Sequence, residues 1–192
     1  MLRSAVVALS VAGLIVEGRA EPLTIDVERL LGVASFYFGK QAQRGRAVLV
    51  NNNDGDADLL IYLEDRNASG VNRPMKLAVN KKAVAFHGAM GGMGASISGN
   101  GGHSFAVHSE NIGVGRNKWE KKITIGERDG GFAVIGFTYK SFDGLDPKAG
   151  GSCDLNLGTG RGKRNGKDVS FSPAPIKLAD WSDERTPKEC KF

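Results

Sequence analysis

The sequence has little of what marks the common chemical functions of proteins. It holds only two cysteines and three histidines among 192 residues, aromatic residues make up 7%, and charges of both signs leave a net charge of +5. It contains no Walker-type phosphate-binding motif and no Gly-x-Ser-x-Gly nucleophile elbow. These absences weigh against a P-loop nucleotide-binding protein and an elbow-type serine hydrolase. The interspersed charges weigh against a nucleic-acid-binding surface.

Long apolar runs are also missing, except near the N-terminus. There an apolar run, Ala5–Val16, lies between Arg3 and the small residues Gly18 and Ala20. A basic start, a short apolar stretch and small residues before a cleavage point are typical of a secretory signal peptide. A bilayer-spanning helix needs roughly 20 apolar residues, so this run is too short. We therefore predict that residues 1–20 are a signal peptide; the alternative is a buried N-terminal helix.

The predicted mature chain, residues 21–192, has the length of one domain and ends in a polar C-terminal tail. It contains both cysteines, Cys153 and Cys190. In an oxidising compartment a lone pair usually forms one disulfide, which here would tie the tail back to the rest of the domain. A redox or nucleophilic thiol is the alternative, but neither cysteine has a Cys-x-x-Cys partner. We predict a disulfide and a periplasmic or secreted location.

The strongest local signal is a hairpin around Asp129-Gly130. Asp-Gly between two strand-like runs favours a two-residue turn, because both turn residues must accept a positive φ. Such a turn pairs Arg128 with Gly131. It also sets Ile125 opposite Val134, Thr124 opposite Ile135, and Ile123 opposite Gly136. The returning strand is apolar on both faces, which predicts a central strand covered on each side.

Further strand-like runs predict a mostly β fold, an antiparallel sheet, sandwich or partial barrel. Residues 46–50 and 58–63 read as strands around a turn-rich connection, and shorter runs follow at 76–79, 83–87 and 104–108. One short N-terminal helix is expected as well, within 24–38 and capped by Thr24 or Asp26. Its apolar residues recur at helical spacing: Leu23, Val27, Leu30, Leu31, Ala34 and Phe38.

The connection between the first two strands offers a weak calcium candidate. Asn52, Asp54, Asp56 and Asp58 alternate, as oxygen ligands do in Asp-x-Asp-x-Asp loops. The sixth position of such a loop needs glycine, and here it is Ala57. We therefore favour a hairpin turn with solvated acids and predict no metal and no cofactor.

Candidate ligand-binding residues lie in two places. A basic, glycine-rich segment, 158–167, carries Arg161, Lys163 and Arg164, which could contact an acidic polysaccharide or lipid head groups; a solvated loop is the simpler interpretation. Trp119 could stack on a sugar ring if it is exposed, or belong to the core if it is buried.

Other chemistries have weaker support. A zinc site would need His87, His103 and His108 to converge, or a carboxylate to join them. Glycoside hydrolysis needs two carboxylates that meet in three dimensions. The candidates for such a pair are Glu110, Glu120, Glu127 and Asp129.

Three segments resemble a family of uncharacterised secreted bacterial β-rich proteins. Gly115–Ile125 supplies a strand with a tryptophan, Arg128–Tyr139 a Gly-Phe-x-x-x-Gly strand, and Cys153–Gly162 an Asn-x-x-Thr-Gly segment, in the family's order. The resemblance covers roughly 82–165 and implies a fold habit and an exported location, without an activity. Family members often carry an upstream segment similar to FG-GAP/VCBS-type repeats. Here that stretch would be 38–50, which has no acidic residues and so departs from those repeats.

Together these features predict an exported, non-enzymatic envelope protein that binds an anionic polysaccharide or a protein partner. The alternatives are a hydrolase that acts on envelope polysaccharide with dispersed carboxylates, and a structural or inhibitory protein that acts through a sheet edge.

Overall fold

The structure, a computed structural model, describes residues 26–70, 72–99, 101–146 and 149–192. The predicted signal peptide lies outside these ranges. No helix in the described part of the chain is long and apolar enough to cross a membrane. The strands are β1 Leu30–Phe38, β2 Gln43–Asn51, β3 Asp56–Glu64, β4 Met75–Phe86, β5 Met93–Gly99, β6 Ser104–Asn111, β7 Asn117–Arg128, β8 Gly131–Asp143, β9 Gly150–Asn156, β10 Arg161–Arg164, β11 Lys167–Ser170 and β12 Ile176–Lys177.

Across the described ranges the strands form two antiparallel sheets. The smaller sheet holds β1 to β4 in chain order, and the larger runs in the order β11-β10-β9-β8-β7-β6-β5, with β12 pairing with β8 as well. Neighbours in each sheet follow one another in the chain, because short turns join antiparallel strands. The predicted mostly β, antiparallel fold is confirmed, and in the described residues neither sheet closes into a barrel.

One apolar core joins the two sheets. The ring of Phe36 on β1 lies 5.0 Å from that of Phe105 on β6 and 5.8 Å from that of Phe132 on β8. Burial alternates along the strands, as at Ala47 and Leu49 on β2, because successive side chains of a strand point to opposite faces. The inner face of the larger sheet is therefore the face toward the smaller sheet, and its outer face is the opposite one.

The predicted N-terminal helix is wrong. Asp26 caps only a single 3-10 turn, Val27–Arg29, and the chain then continues as β1. The apolar residues of this stretch also fit a period of two. Ala34 and Phe36 are buried on one face of the strand, whereas Tyr37, on the opposite face, is 41% exposed. Pairing with β2 satisfies the backbone hydrogen-bonding groups of β1. The β-branched and aromatic residues of β1 also favour a strand.

The Asp-Gly hairpin between β7 and β8 is confirmed. Asp129 has φ 53° and Gly130 has φ 77°, so both turn residues adopt the positive φ that this turn requires. Arg128 pairs with Gly131, and Ile125 lies opposite Val134, as expected.

Beyond that point the predicted register is wrong by one residue. Thr124 lies opposite Gly136 instead of Ile135, because Ile135 is the extra residue of a β-bulge. Its carbonyl accepts hydrogen bonds from the backbone N–H of Leu157 at 2.9 Å and of Gly158 at 3.3 Å. The bulge falls where the neighbour of β8 changes from β12 to β9.

The expected cover on both faces of β8 holds only near its start. Ala133 and Val134 are both buried, so both faces are covered there. Farther along, Thr138 is half-buried and Lys140 is exposed on the outer face. The returning strand is therefore central in its sheet but open to solvent on one side.

The C-terminal segment, residues 178–192, closes the open side between the sheets. Trp181 is 1% exposed, its indole Nε1 donates to the Val84 carbonyl of β4 at 3.1 Å, and its ring lies 5.9 Å from that of Phe137 on β8. Cys190 forms a disulfide with Cys153 of β9, as predicted. The segment thus links both sheets through one buried ring and one covalent bond.

Replacing Trp181 tests this link. Trp181→Phe should lower the free energy of unfolding by about 1–3 kcal/mol, because the buried Val84 carbonyl loses its donor. Trp119→Phe, at a half-buried ring, is the matched control and should cost less. Urea unfolding of both variants measures the difference. Equal losses would show that the Trp181 hydrogen bond does not hold the sheets together.

Candidate functional site

The inner face of the larger sheet continues past the core. Along β7, Ile125 and Ile123 are buried, Lys121 is 8% exposed, Trp119 is half-buried and Asn117 is exposed. All five lie on one face, because side chains two apart along a strand share a face. The polar and aromatic end of this face is where the C-terminal segment lies.

A cleft of about 780 Å³ opens between this end of the sheet and the C-terminal segment. One wall comes from β7 and β8, and the other from residues 183–192. We call it the aromatic cleft, because four aromatic residues line it, together with the ion pair described below. They are Trp119, Tyr139, Phe142 and Phe192.

Cations lie against two of these aromatic residues on the side of the cleft. Lys121 Nζ is 5.3 Å from the Trp119 ring centroid, and Arg164 Cζ is 5.3 Å from that of Phe192. Aromatic faces attract cations through their quadrupole. The cleft therefore combines flat apolar surfaces with positive charge.

Lys121 is the most buried charge in the cleft. Its Nζ lies 2.5 Å from Asp183 Oδ1, and the Asp183 side chain is 60% exposed. Ser109 lies directly opposite Lys121 on β6; it is 2% exposed, and its hydroxyl has no hydrogen-bond partner among the described residues.

Burial first, and then the charge of Asp183, raise the pKa of the nearby Tyr139 hydroxyl.

The second carboxylate of the cleft is held as an anion. Asp143 accepts hydrogen bonds from the backbone N–H groups of Leu145 at 2.8 Å and Asp146 at 3.2 Å, and from Arg116 Nε at 2.6 Å. The bond from Leu145, with that from Arg116, outweighs partial burial and lowers the pKa of Asp143. Asp143 is thus suited to hold a loop and to stay ionised.

The predicted ligand-binding residues fall into two groups. Trp119 lines the aromatic cleft, and Arg164 borders it, donating to the Lys191 carbonyl at 3.1 Å. Arg161 and Lys163 lie on the outer face instead, because β10 alternates its side chains between the two faces. The basic segment is a β10–β11 hairpin, so its charges do not form a single patch.

Trp119 is neither free nor fully buried. Its ring centroid lies 5.6 Å from that of Phe86, and Lys121 lies against the ring as well. The ring therefore serves as a fixed wall of the cleft, with part of its surface open to a ligand.

The outer face of the larger sheet is polar across its whole width. One row runs across the strands through His108, Lys122, Thr138, Asp154 and Lys163. Such a face is normal for an antiparallel sheet with one solvated side.

Two like charges stand out on this outer face. Glu110 on β6 lies directly opposite Glu120 on β7, and both line a shallow groove of about 550 Å³. Directly opposed like charges destabilise a sheet. The other two candidates, Glu127 and Asp129, lie at the far hairpin end, where Glu127 accepts a hydrogen bond from the Gly130 N–H at 2.8 Å.

The calcium candidate residues bind one another. Asn52 Oδ1 accepts from the backbone N–H of Asp54 at 2.9 Å, and Asn52 Nδ2 donates to Asp58 Oδ1 at 3.2 Å. Asp58 is 3% exposed and pairs with Lys82 at 2.7 Å. Within the described ranges, no group of three or more His, Cys, Asp or Glu residues is placed to hold a metal ion. This segment acts as the turn between β2 and β3.

The histidines lie apart from one another. His87 Nδ1 accepts from the Ala95 N–H at 3.0 Å, the His103 ring lies 6.3 Å from that of Tyr37, and His108 Nε2 is 3.0 Å from Ser98 Oγ on the outer face. Burial, followed by the charge of Lys122, lowers the pKa of His108.

Strand β4 ends the smaller sheet, and among the described strands it pairs only with β3. Exposed Met75 and Leu77 lie on it, but so do Lys76, Lys81 and Lys82. Two irregularities also interrupt its pairing with β3. Lysines and bulges are features that prevent further strand addition, so this edge gives little support to a sheet-edge partner.

Sequence reasoning missed the residues that build the second wall of the cleft. Asp183 and Phe192 lie in the segment that the sequence predicts to be a polar tail. The Phe192 ring lies on Gly151, where a side chain would overlap it, and is parallel within 10° to that of Tyr139. A large aromatic, Trp181, close to a bridged cysteine was the available signal that this tail is packed.

No protein-family model, curated protein or solved structure matches this chain. The family resemblance of residues 82–165 therefore stays a prediction.

The stability of the protein should change in opposite directions when either of two neighbouring acids loses its charge. Burial, followed by the charges of Asp183 and Asp58, raises the pKa of Asp56. Burial would also raise the pKa of Asp58, but hydrogen bonds from Lys82, Ala83 and Asn52 lower it. At neutral pH, Asp56→Asn should therefore stabilise the protein, whereas Asp58→Asn should destabilise it by about 1–3 kcal/mol.

Urea unfolding from pH 7 to pH 3 measures both effects. A raised folded-state pKa means that wild-type Asp56 opposes folding above that pKa, so the gain of Asp56→Asn should shrink as the pH falls through it. A lowered pKa means that Asp58 stabilises above its ordinary pKa, so the cost of Asp58→Asn should shrink in acid. A loss of stability in Asp56→Asn at neutral pH would contradict the first assignment.

Proposed function

We propose that the protein is an exported, non-enzymatic envelope protein that binds its ligand in the aromatic cleft. The observation that carries this proposal is the combination of four aromatic residues and an excess of positive charge in one cleft of about 780 Å³. Ligand sites typically have this size and combine apolar walls with a few polar groups.

The charges of the cleft favour an anionic ligand. Lys118, Lys121 and Lys191 line it, against the two carboxylates of Asp143 and Asp183. Arg164 adds a further positive charge at the rim. Aromatic rings next to cations suit a sugar that carries negative charge. The apolar face of the sugar contacts the aromatic ring, and the anionic group of the sugar contacts the cation. An anionic envelope polysaccharide is therefore the ligand we favour over a protein partner.

The acids of the cleft support binding over catalysis. A general acid needs a pKa near the working pH, whereas the pKa of Asp143 is lowered and its oxygens are bonded to Arg116 and to backbone N–H groups. Asp183 is paired with Lys121. Neither carboxylate is placed to protonate a leaving group.

The proposed location rests on two features. The predicted signal peptide directs export, and the Cys153–Cys190 disulfide is typical of an oxidising compartment. A periplasmic or secreted location follows from both, and it brings the cleft into contact with envelope polymers.

Capture of envelope polysaccharide tests the proposed cleft. Arg164→Gln should reduce recovery of polysaccharide by the oxidised mature protein roughly five- to tenfold, because the loss of one typical hydrogen bond costs about 1–1.4 kcal/mol. Arg161→Gln is the matched control: it removes the same charge from the same strand, but on the outer face.

Equal losses in both variants would remove the cleft from the proposal and point to general charge attraction. Recovery of a protein instead of a polysaccharide, still dependent on Arg164, would keep the cleft and change the class of partner.

The Glu110–Glu120 pair favours a second candidate, a polysaccharide hydrolase on the outer face. Two carboxylates on one groove could divide the roles of acid and base. Their like-charge opposition costs stability, which is typical of residues kept for function.

Reducing-end release from envelope polysaccharide tests this second candidate. If the outer face is catalytic, Glu110→Gln and Glu120→Gln should each abolish release, because glycoside cleavage needs both groups. We expect no release from the wild type, and both variants should be slightly more stable because the repulsion is removed. Release that disappears in both variants would overturn the non-enzymatic proposal.

A further inference from the structure

Lys121 is an unusual charge for a sheet interior. It follows the buried Ile123 and Ile125 on the same inner face of β7, and only 8% of its side chain is exposed. Taking an ammonium group out of water costs several kcal/mol unless an anion compensates it. A plain structural role would be met more cheaply by an apolar side chain at this position.

The carboxylate that compensates the charge of Lys121 lies on an exposed turn. Asp183 begins the short 3-10 turn Asp183–Arg185, its side chain is 60% exposed, and the ion pair with Lys121 is its one side-chain contact of this kind in the described residues. Of its two neighbours in the chain, Ser182 is half-buried and Glu184 is exposed. Trp181 and Cys190, which flank this stretch, are both 1% exposed.

A buried hydroxyl group lies opposite Lys121 in the sheet. The Ser109 hydroxyl lies directly opposite Lys121 in the β6–β7 ladder, is shielded from solvent, and has no hydrogen-bond partner in the described part of the chain. A buried hydroxyl without a partner costs about 1–3 kcal/mol. Lys121 and Ser109 thus place one cation and one hydroxyl without a partner side by side on the buried inner face.

We propose that Lys121 is the anion-binding anchor of the aromatic cleft and that Asp183 occupies it as an internal stand-in for the ligand. The ligand carries a carboxylate or a phosphate group, which replaces the Asp183 carboxylate on Lys121 while a sugar ring contacts Trp119 or Tyr139. This inference rests on the proposed function and names the group that the cleft recognises.

The neighbouring charges fit an exchange of one anion for another. Burial raises the pKa of Asp56, the charge of Asp183 raises it further, and the charge of Lys121 lowers it, so two carboxylates lie within electrostatic reach of one ammonium group. A ligand that displaces Asp183 leaves the number of charges at Lys121 unchanged. Because the stand-in must first leave, the apparent affinity of the wild type is reduced by the fraction of molecules in which Lys121 is free.

Calorimetric titration of the oxidised mature protein tests the inference with named probes. Tetragalacturonate supplies carboxylates, a glycerol phosphate oligomer supplies phosphates, and maltotetraose is the neutral comparison. Asp183→Asn should bind one of the two anionic probes roughly tenfold more tightly than the wild type, because the competing anion is gone. Asp180→Asn, an exposed acid in the same segment, is the matched control and should bind like the wild type.

Removal of the anchor gives the complementary result. Lys121→Met keeps the length of the side chain without its charge and should lose the anionic probe. Lys122→Met, at the next lysine of β7 but on the outer face of the sheet, is the matched control and should retain the binding. If Lys121→Met does not fold, the Asp183→Asn titration still decides the question.

Three outcomes would overturn the inference: unchanged or weaker anion binding in Asp183→Asn, equal binding of maltotetraose, or no binding of either anionic probe by Asp183→Asn. Polysaccharide capture that depends on Arg164 would keep the proposed function even then, and would show only that Lys121 and Asp183 form a structural ion pair. Loss of the Arg164 dependence as well would remove both proposals.

Discussion

The packing of one indole ring, that of Trp181, is the interaction on which the architecture depends. Two meandering sheets meet over an apolar core, and one side between them stays open unless another segment covers it. Trp181 covers it, with its ring near Phe137 of one sheet and its N–H bonded to the Val84 carbonyl of the other. The disulfide to Cys153 then holds the end of the same segment in place. A polar tail thus becomes part of the core, because burial of Leu178 and Trp181 and the disulfide at Cys190 each contribute toward offsetting the entropy lost when the segment is ordered.

The same segment also creates the cleft. Strands β7 and β8 extend past the buried core, and their inner face ends in Lys121, Trp119 and Tyr139. Without residues 183–192 this end would be an open sheet surface. The segment adds a second wall and brings Asp183 against Lys121 and Phe192 against Tyr139. Stability and the candidate binding site therefore share their anchors, because one wall of the cleft is the sheet and the other wall is the segment that closes the core.

Local patterns predicted the local geometry well and the long-range geometry poorly. Asp129-Gly130 determined its turn, because few residues accept a positive φ. The bulge at Ile135 could not be read from the strand, since it depends on which strands lie beside β8. The helix expected at 24–38 failed for a related reason: its apolar residues fit periods of both 3.6 and two, and pairing with β2 decided between them. Of the candidate ligand residues, Trp119 lines the cleft and Arg164 borders it, whereas Arg161 and Lys163 face away from it.

The sequence by itself determined the class of fold, the central hairpin and the pairing of the two cysteines. Alternation of side chains, turn residues and a lone cysteine pair act over short distances or allow a single solution. Only the tertiary structure decided which residues form the cleft. Lys121 and Asp183 are 62 positions apart, and Val84 and Trp181 are 97 apart. Nothing in either local stretch signals its partner, because such contacts arise only when the two sheets and the C-terminal segment pack together.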